Sequence, residues 1–517
     1  MDLFRDAPFG QIVRYLSGSK FFSYPDERAE FDYLSCYDGT YKFGQDNCCD
    51  HEKHKELALD NEAGEAEHTP SARAHSSSED DVDREKAKEL AVDNGPAEFG
   101  AAKPPAADGS SETSDVERGA SLGLQRTQTL PYTNERLEVE RSLEIERARS
   151  RRILPSTTAD GMILTDWYRT DDPENPQNWS QKKKAFVAFQ IDVYTFVVYC
   201  GSAIYVSSEL GVMARFGVGD FKASLGLALY VLGYGFGPLL WSPMSELPAF
   251  GRNVSYVATF AIYIILCVPT ALVNNLGGLL VLRFLLGFFG SPCLATGGAS
   301  MQDMYSLLYL PYSVALWVSA AFAAPAVGPL LSGFSVVAKN WRWSTWELLW
   351  MSAPVFILWF FCLPETSASN ILLRRAARLR SRLEVKNIRS QSEIDREGLT
   401  AGAIFLDAII KPCEIMIKDP AVLFTNVYTA LTYGIYYSFF EAFPLVYGPL
   451  YGFNLGETGI VFLCIVVGCV ISICIYFSYL HFLLIPDIMK NGLQAQEWRL
   501  RPALISVFVL TMSLFLF

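Results

Sequence analysis

The sequence predicts an all-α polytopic membrane protein that begins with a long polar tail. Three observations lead to this fold class. Half of the 517 residues are hydrophobic, most apolar residues gather in stretches of 18 to 25 residues with few charges, and one long polar break follows the sixth stretch. Because about 20 apolar residues in a helix cross the roughly 30 Å hydrocarbon core, such stretches are long enough to span a membrane.

Residues 1–160 form the tail, and their composition predicts that most of it is disordered. The first 150 residues hold 18 Lys and Arg against 32 Asp and Glu, whereas the remainder is close to neutral. Few large apolar residues follow residue 45, so the segment cannot bury enough surface to offset the entropy of ordering. Residues 134–152 are an exception, because their dense Glu and Arg can form a solvated helix through pairs four residues apart.

A juxtamembrane segment, 161–184, ends in three lysines, and the first apolar stretch follows at once. We expect a complete six-span N-terminal bundle at 185–363, a polar central loop at 364–419 and an incomplete second bundle of three spans at 420–517. The nine expected spans are 185–206, 221–241, 254–273, 276–299, 312–337, 346–363, 422–443, 459–480 and 503–517. Basic residues favour the cytoplasmic side, and six crossings return the basic loop to the side of the lysines. The N-terminus and the central loop are therefore both expected in the cytoplasm.

The turn between spans two and three carries an unusual combination of residues: Gly237, Pro238, Pro243, Glu246, Gly251 and Arg252. Glycine lets helices approach closely in lipid. An acid and an arginine that flank a tight turn can pair across it, and a charge at a helix end interacts with the helix dipole. The alternative is an ordinary loop in which the acid and the arginine occur by chance.

Arg283 lies about eight residues into span four, where a charge is costly enough that a function is the first explanation. We expect it to face the bundle interior and to bond to a carboxylate or a carbonyl; the alternative is an arginine that reaches out to the membrane surface. Asp192 lies about eight residues into span one, on the order of 10–12 Å deep. It is either a titrating partner of Arg283 or a solvated acid that faces a cavity.

Two further segments suggest packing or binding. Span five contains Pro325, Gly328, Pro329 and Gly333, a set that predicts a bent helix with close neighbours. The end of span seven contains Tyr436, Tyr437, Phe440 and Glu441. These residues form either an aromatic wall with one acid, suited to planar, apolar or cationic compounds, or an aromatic belt at the membrane interface.

The sequence holds no motif for nucleotide hydrolysis, for a serine nucleophile or for zinc proteolysis. We therefore expect a protein that is not an enzyme, uses no cofactor and is not driven by ATP. Cys48, Cys49, His51 and His54 are close in sequence, but the second half of a zinc pattern is missing, and we expect no metal site. An ion gradient remains as the energy source.

Several segments together resemble the fungal drug:proton antiporter group of the major facilitator superfamily. These segments are residues 5–10, 237–252, 283–292, 324–333, 364–367 and 436–444. The resemblance runs from residue 1 to about residue 510, apart from roughly 40–125. It implies a major facilitator fold in which two bundles rock around a central cavity.

The resemblance also implies site roles and partners. The span-four arginine of that group is linked to proton transfer, a role that we carry over to Arg283 with Asp192 or Glu441. Glu246 and Arg252 would brace the inward-closed state, and the span-five motif would set the direction of exchange. The implied activity is multidrug efflux at the plasma membrane. Its partners would be drugs or xenobiotics, protons and the lipid bilayer, with no nucleic acid, for a protein that acts as a monomer.

Two other interpretations stay open. A chain that ends at Phe517 would lack half of the second bundle, and we expect such a form, expressed alone, to confer no drug resistance. The protein would then be a truncated or degenerate paralogue that transports nothing. The fold also serves uptake or export of a specific metabolite, such as a siderophore or a polyamine.

Overall fold

The computed structural model describes residues 2–27, 133–397 and 401–516, except 154, 159–160, 384 and 495. The predictions made for residues 28–132, including the greater part of the disordered tail and the rejected cysteine–histidine metal site, lie outside the described residues.

Nine long helices follow the order of the nine expected spans. Eight of those in the described chain are long and apolar enough to cross a membrane: Gln181–Phe216, Asp220–Glu246, Gly251–Leu272, Leu276–Met304, Leu310–Ala338, Trp343–Cys362, Leu455–Asn491 and Glu497–Phe515. They are spans one to six, eight and nine. The seventh expected span is the 32-residue helix Pro420–Tyr451, whose six tyrosines lower its hydropathy. Most helices extend beyond the expected limits because helical structure continues past the apolar stretch.

Close packing holds the first six spans together. A Cβ atom added to Gly233 of span two would lie 2.2 Å from the Phe284 carbonyl oxygen, and one added to Gly287 of span four would lie 2.1 Å from that of Tyr230. Larger residues would therefore push these helices apart. Buried aromatic rings fill the centre of the bundle, and the Tyr194 and Trp359 ring centroids are 4.4 Å apart.

Spans eight and nine are far less covered than the first six. The share of the span that is buried is 28% to 78% in spans one to six, but 6% in span eight and 0% in span nine. Each of the two spans contains a mostly apolar stretch of 18 residues, which lipid can cover without the cost that water would impose.

Residues of the N-terminal segment and the central loop pack together at one end of the spans, which we call the tail face; the opposite end is the far face. The helices Asp2–Asp6 and Pro8–Ser17 precede the tail helix, Asn134–Arg149, and the central loop supplies the loop helix, Ala368–Leu383. A parallel two-stranded sheet joins Ile163–Thr165 to Ile388–Ser390.

The expected disorder is wrong for residues 2–27, because buried ion pairs and apolar contacts order them. Asp26 is 1% exposed and accepts a hydrogen bond from Arg378 Nε at 2.9 Å. The tail helix was expected to be solvated, but Leu137 and Leu143 are buried beneath it. The predicted pairing of residues four apart in this helix is present, since Arg136 pairs with Glu140 at 3.0 Å.

Candidate functional site

Arg283 lies inside the bundle and is 2% exposed. Its guanidinium donates to three backbone carbonyls, those of Gly226 at 3.0 Å, Gly201 at 2.9 Å and Ser202 at 3.0 Å. The rings of Tyr205 and Tyr230 lie 4.7 Å and 4.5 Å from its central carbon. The arginine therefore does not reach the membrane surface, and its hydrogen-bond partners are carbonyls rather than carboxylates.

The charge of Arg283 has no direct counter-charge in the described part of the chain, where no carboxylate lies within 4.0 Å of it. Glycine explains two of its contacts, since Gly201 and Gly226 leave room where a Cβ atom would collide with tyrosine side chains at 2.4–2.7 Å. A buried arginine held only by carbonyl dipoles keeps its net charge, which makes it sensitive to nearby acids.

Asp192 does not pair with Arg283. Gly201 and Ser202, whose carbonyls bind Arg283, lie nine and ten residues after Asp192 in span one. Asp192 is therefore about 14 Å from them along the helix axis. Asp192 is half-buried, and its Oδ1 atom has no hydrogen-bond partner among the described residues. The pairing of Asp192 with Arg283 is therefore absent from this structure, and the second interpretation, a solvated acid that faces a cavity, stays a prediction.

One acid that the sequence analysis did not name interacts electrostatically with Arg283. Glu441 is half-buried, and Glu209, at the far-face end of span one, is 7% exposed. Glu209 interacts electrostatically with Glu441, Asp220 and Arg283. The sequence reasoning missed Glu209 because the expected span one stopped at residue 206. An acid within an otherwise apolar continuation of a span was the signal that could have found it.

The aromatic residues that the sequence singled out in span seven, Tyr436, Tyr437 and Phe440, contact other spans of the protein. Tyr437 Oη lies 2.8 Å from Ser202 Oγ of span one and 3.2 Å from Tyr234 Oη of span two. Tyr436 donates to the Phe322 carbonyl of span five at 2.6 Å. Phe440 is fully buried and stacks on a phenylalanine of span eight at 5.0 Å between centroids.

A tyrosine cluster thus joins the two bundles at their centre, and the sequence reasoning had named only part of it. Tyr433 Oη lies 2.7 Å from Tyr234 Oη, and the rings of Tyr199 and Tyr234 are 5.6 Å apart. We define the tyrosine cluster as Tyr199, Tyr234, Tyr433 and Tyr437. The missed members lie within apolar helices, where a single tyrosine gives no positional signal. The unusually large number of tyrosines in span seven was the available clue.

The span-five motif lies where three spans meet. A Cβ atom on Gly328 would be 2.7 Å from the Ile204 amide nitrogen of span one, and one on Gly333 would be 2.6 Å from the Leu455 carbonyl oxygen of span eight. Pro325 and Pro329 lie inside the continuous helix Leu310–Ala338. The motif therefore forms a contact between the two bundles near the far face.

Arg252, in the turn between spans two and three, pairs with two acids. The expected pair with Glu246 is present at 3.9 Å, although the Glu246 side chain is 64% exposed, and Arg252 Nε lies closer, at 3.2 Å, to Asp303 Oδ2 at the end of span four. The bracing role of Glu246 and Arg252 stays a prediction, and Asp303 is an additional partner that the sequence analysis did not name. Asp303 was missed because the contact joins helix ends 51 residues apart.

The rest of this motif shapes the helix ends. Gly251 has a φ of +72°, and a Cβ atom there would lie 2.6 Å from a Glu365 carboxylate oxygen. That carboxylate, also missed, accepts the amide hydrogens of Arg252 at 2.9 Å and Asn253 at 3.1 Å, at the positive end of span three. A Cβ atom on Gly237 would be 1.9 Å from Ser291 Oγ. Pro238 and Pro243 lie within the span-two helix.

Six packed spans, a buried arginine in span four and a glycine contact to a second group of spans define a two-bundle membrane carrier. Residues 192–517 match the Major Facilitator Superfamily, and the chain belongs to that family.

Curated relatives agree with this assignment. The chain is 45% identical to the MFS-type transporter pyvG of Aspergillus violaceofuscus, over 70% of this chain and 67% of that protein. It is 42% identical to fluconazole resistance protein 1 of Saccharomyces cerevisiae, over 68% and 64%, and 36% identical to the cycloheximide resistance protein of Candida maltosa, over 69% and 65%. The matched region thus spans about two thirds of the length of these relatives.

Proposed function

We propose that the protein exports structurally diverse apolar or cationic small molecules across the plasma membrane in exchange for protons, by alternating access. The similarity to proteins named for resistance to fluconazole and cycloheximide supports the substrate class. The single observation that carries the proposal is the tyrosine cluster, which joins spans one, two and seven through hydroxyl contacts of 2.7 to 3.4 Å.

The chemistry of the tyrosine cluster suits the proposed cargo. Aromatic faces bind flat apolar compounds and attract cations, while the hydroxyls offer hydrogen bonds that do not require one fixed ligand shape. Because the hydroxyls bond to one another across the two bundles, a ligand that enters between them would replace these bonds. The same residues would then act as a contact in one state and as a binding wall in another.

Proton coupling is proposed for Arg283, Asp192 and Glu441. The unneutralised charge of Arg283 favours the ionised form of an acid that comes near it. Arg283 and Glu441 lie in different bundles, so bundle movement that changes the distance between them would change the proton affinity of Glu441. Glu441 lies on the far-face half of span seven, whereas Asp192 lies on the tail-face half of span one. The two acids would therefore exchange protons with opposite sides of the membrane.

The tail face is proposed to be cytoplasmic, with the protein acting as a monomer. The lysines at 182–184 and the basic loop helix lie on this face, as expected for the cytoplasmic side.

Dye export from cells that lack their own multidrug exporters tests the proposal. Cells that make the full-length protein are expected to lose a fluorescent cationic dye faster than empty cells, and a protonophore should abolish the difference. Tyr437→Ala is expected to raise the dye concentration for half-maximal export about threefold or more, whereas Tyr451→Ala, which alters a 65% exposed tyrosine, should not. Dye loss that persists with the protonophore would contradict proton coupling, and net dye accumulation would favour uptake.

A further inference from the structure

A polar pocket of about 270 Å³ lies on the tail face, outside the proposed transport site. The tail helix, the start of span one and the turn between spans four and five form its walls. Its lining includes two cations, Arg147 and Lys184, two acids, Glu144 and Asp171, and the aromatic residues Trp179 and Tyr305.

Two cations in this pocket have only neutral partners. Lys184 is 7% exposed, and its Nζ donates to the Gln177 carbonyl oxygen at 2.9 Å. Arg147 is half-buried, and its Nη2 donates to Gln177 Oε1 at 2.7 Å, while its buried Nε has no partner among the described residues. In the same described part of the chain, no carboxylate lies within 4.0 Å of either cation.

The two acids that line the pocket do not neutralise these cations at close range. Asp171 accepts from Ser150 Oγ at 2.7 Å and pairs with Arg169 at 3.3 Å. Glu144 is exposed, and it attracts both cations from beyond ion-pair distance. Glu140, which also attracts Arg147, is paired with Arg136 at 3.0 Å, so one positive charge of Arg147 and Lys184 remains in excess.

Burying a cation without a counter-charge is unfavourable, and proteins ordinarily pair such groups. Arg375 on the same face follows that rule, with carboxylate oxygens at 2.8 Å and 3.0 Å. Arg147 and Lys184 do not follow it, although they share a pocket large enough for a ligand. An anion that binds between them would supply the missing charge and accept the free N–H groups.

The position of the pocket indicates where the anion comes from. Lys184 belongs to the first turn of span one, and Trp179, Tyr305 and the 56% exposed Tyr309 surround the opening. Tryptophan and tyrosine are enriched at the depth of the lipid head groups. A phosphate of the adjacent leaflet can therefore reach the pocket without leaving the membrane.

We propose that Arg147 and Lys184 form a binding site for the phosphate of an anionic phospholipid in the leaflet at the tail face. Binding would tie the tail helix to span one and so fix part of the N-terminal tail to the bundle. The proposed cytoplasmic orientation of this face decides only which leaflet supplies the lipid, so the site can be tested apart from transport.

The test measures the melting temperature of the purified full-length protein while short-chain phosphatidylserine, short-chain phosphatidylcholine or inorganic phosphate is added. Phosphatidylserine is expected to raise the melting temperature of the wild type and of Lys182→Gln, which removes a neighbouring exposed charge outside the pocket. Arg147→Gln combined with Lys184→Gln should weaken the apparent affinity by about fivefold per cation removed. Glu144→Gln should strengthen it, which keeps the test valid if the double variant folds poorly.

Each outcome bears on the proposal. Equal stabilisation of the wild type and the double variant by phosphatidylserine would overturn it, as would equal effects of phosphatidylserine and phosphatidylcholine. Stabilisation by inorganic phosphate at the same concentration would support an anion site but overturn its assignment to a lipid. Unchanged affinity in Glu144→Gln would show that the pocket charge is not what binds the ligand.

Discussion

Arg283 and Arg375 are both buried, with 2% and 0% exposure, but they are held in opposite ways. Arg375, in the loop helix at the tail face, forms ion pairs with Asp172 at 2.8 Å and with Glu174 at 3.0 Å. Arg283, in the membrane, bonds to three carbonyls of spans one and two. One arginine is neutralised by acids, and the other keeps its charge.

The difference separates a structural role from a functional one. A buried, paired arginine adds little net stability, but removal of one partner leaves an uncompensated charge and is strongly destabilising. An arginine that keeps its charge within a membrane is instead available to interact with charges that change during a cycle. We therefore expect Arg375 to hold the tail face together and Arg283 to act in transport.

The largest expected effect on stability is at Arg375. Arg375→Ala leaves Asp172 and Glu174 buried without their main partner, and should lower the free energy of unfolding by about 3–5 kcal/mol. Arg389→Ala is the control, because Arg389 pairs with Glu397 in a solvent-exposed position, where a pair contributes little to stability. Thermal unfolding of the purified variants measures both, and equal losses would contradict the structural role of Arg375.

A fall in pH is expected to destabilise the fold by less than Arg375→Ala does. Burial raises the pKa of Glu174, but the charges of Arg375 and Arg378 outweigh burial and lower its pKa from 4.5 to about 2. The unfolded chain takes up this proton near pH 4.5 and the folded chain only near pH 2. The stabilisation, up to about 3 kcal/mol, is therefore complete above pH 4.5 and is lost as pH falls towards 2.

Glu174→Gln removes this pH dependence and leaves that of the other acids. Melting temperatures between pH 6 and pH 3 should therefore fall less steeply for Glu174→Gln than for the wild type. Glu397→Gln, which changes an exposed acid, should follow the wild type. Parallel curves for all three proteins would show that the ion pairs around Arg375 do not stabilise the fold.

The smallest expected effect concerns Arg252. Its environment is intermediate between those of Arg375 and Arg283, because one acid lies close to it and the other lies farther away. Glu246→Gln should change the free energy of unfolding by less than about 1 kcal/mol, since its 3.9 Å contact is exposed. Asp303→Asn should cost more, because Asp303 is largely buried at 3.2 Å from Arg252. The reverse order would show that Glu246 is the stronger partner of Arg252.

Local sequence patterns predicted the features that depend on one helix at a time. The length of apolar stretches predicted the nine helices, and the cost of a charge in lipid predicted the interior position of Arg283. The glycines of span five predicted a close contact, which the structure places between the bundles. Each of these features follows from the composition of a single segment.

Features that join distant segments could not be predicted in the same way. Asp26 and Arg378 are 352 residues apart, and Tyr234 and Tyr433 are 199 apart. No local spacing encodes which helix ends or faces meet, so Asp303, Glu209 and part of the tyrosine cluster were missed. Residues 2–27 were expected to be disordered for the same reason, because their composition does not reveal charged partners elsewhere in the chain.

The contrast between the two arginines is tested most directly by measuring proton-driven dye export and melting temperature for the same variants. Arg283→Ala should reach the membrane with a near-normal melting temperature but show no proton-driven export, and Arg283→Lys should retain export only if charge alone suffices. Arg375→Ala should melt at a lower temperature, while the protein that reaches the membrane exports at the wild-type rate. Full export by normally expressed Arg283→Ala would contradict the account.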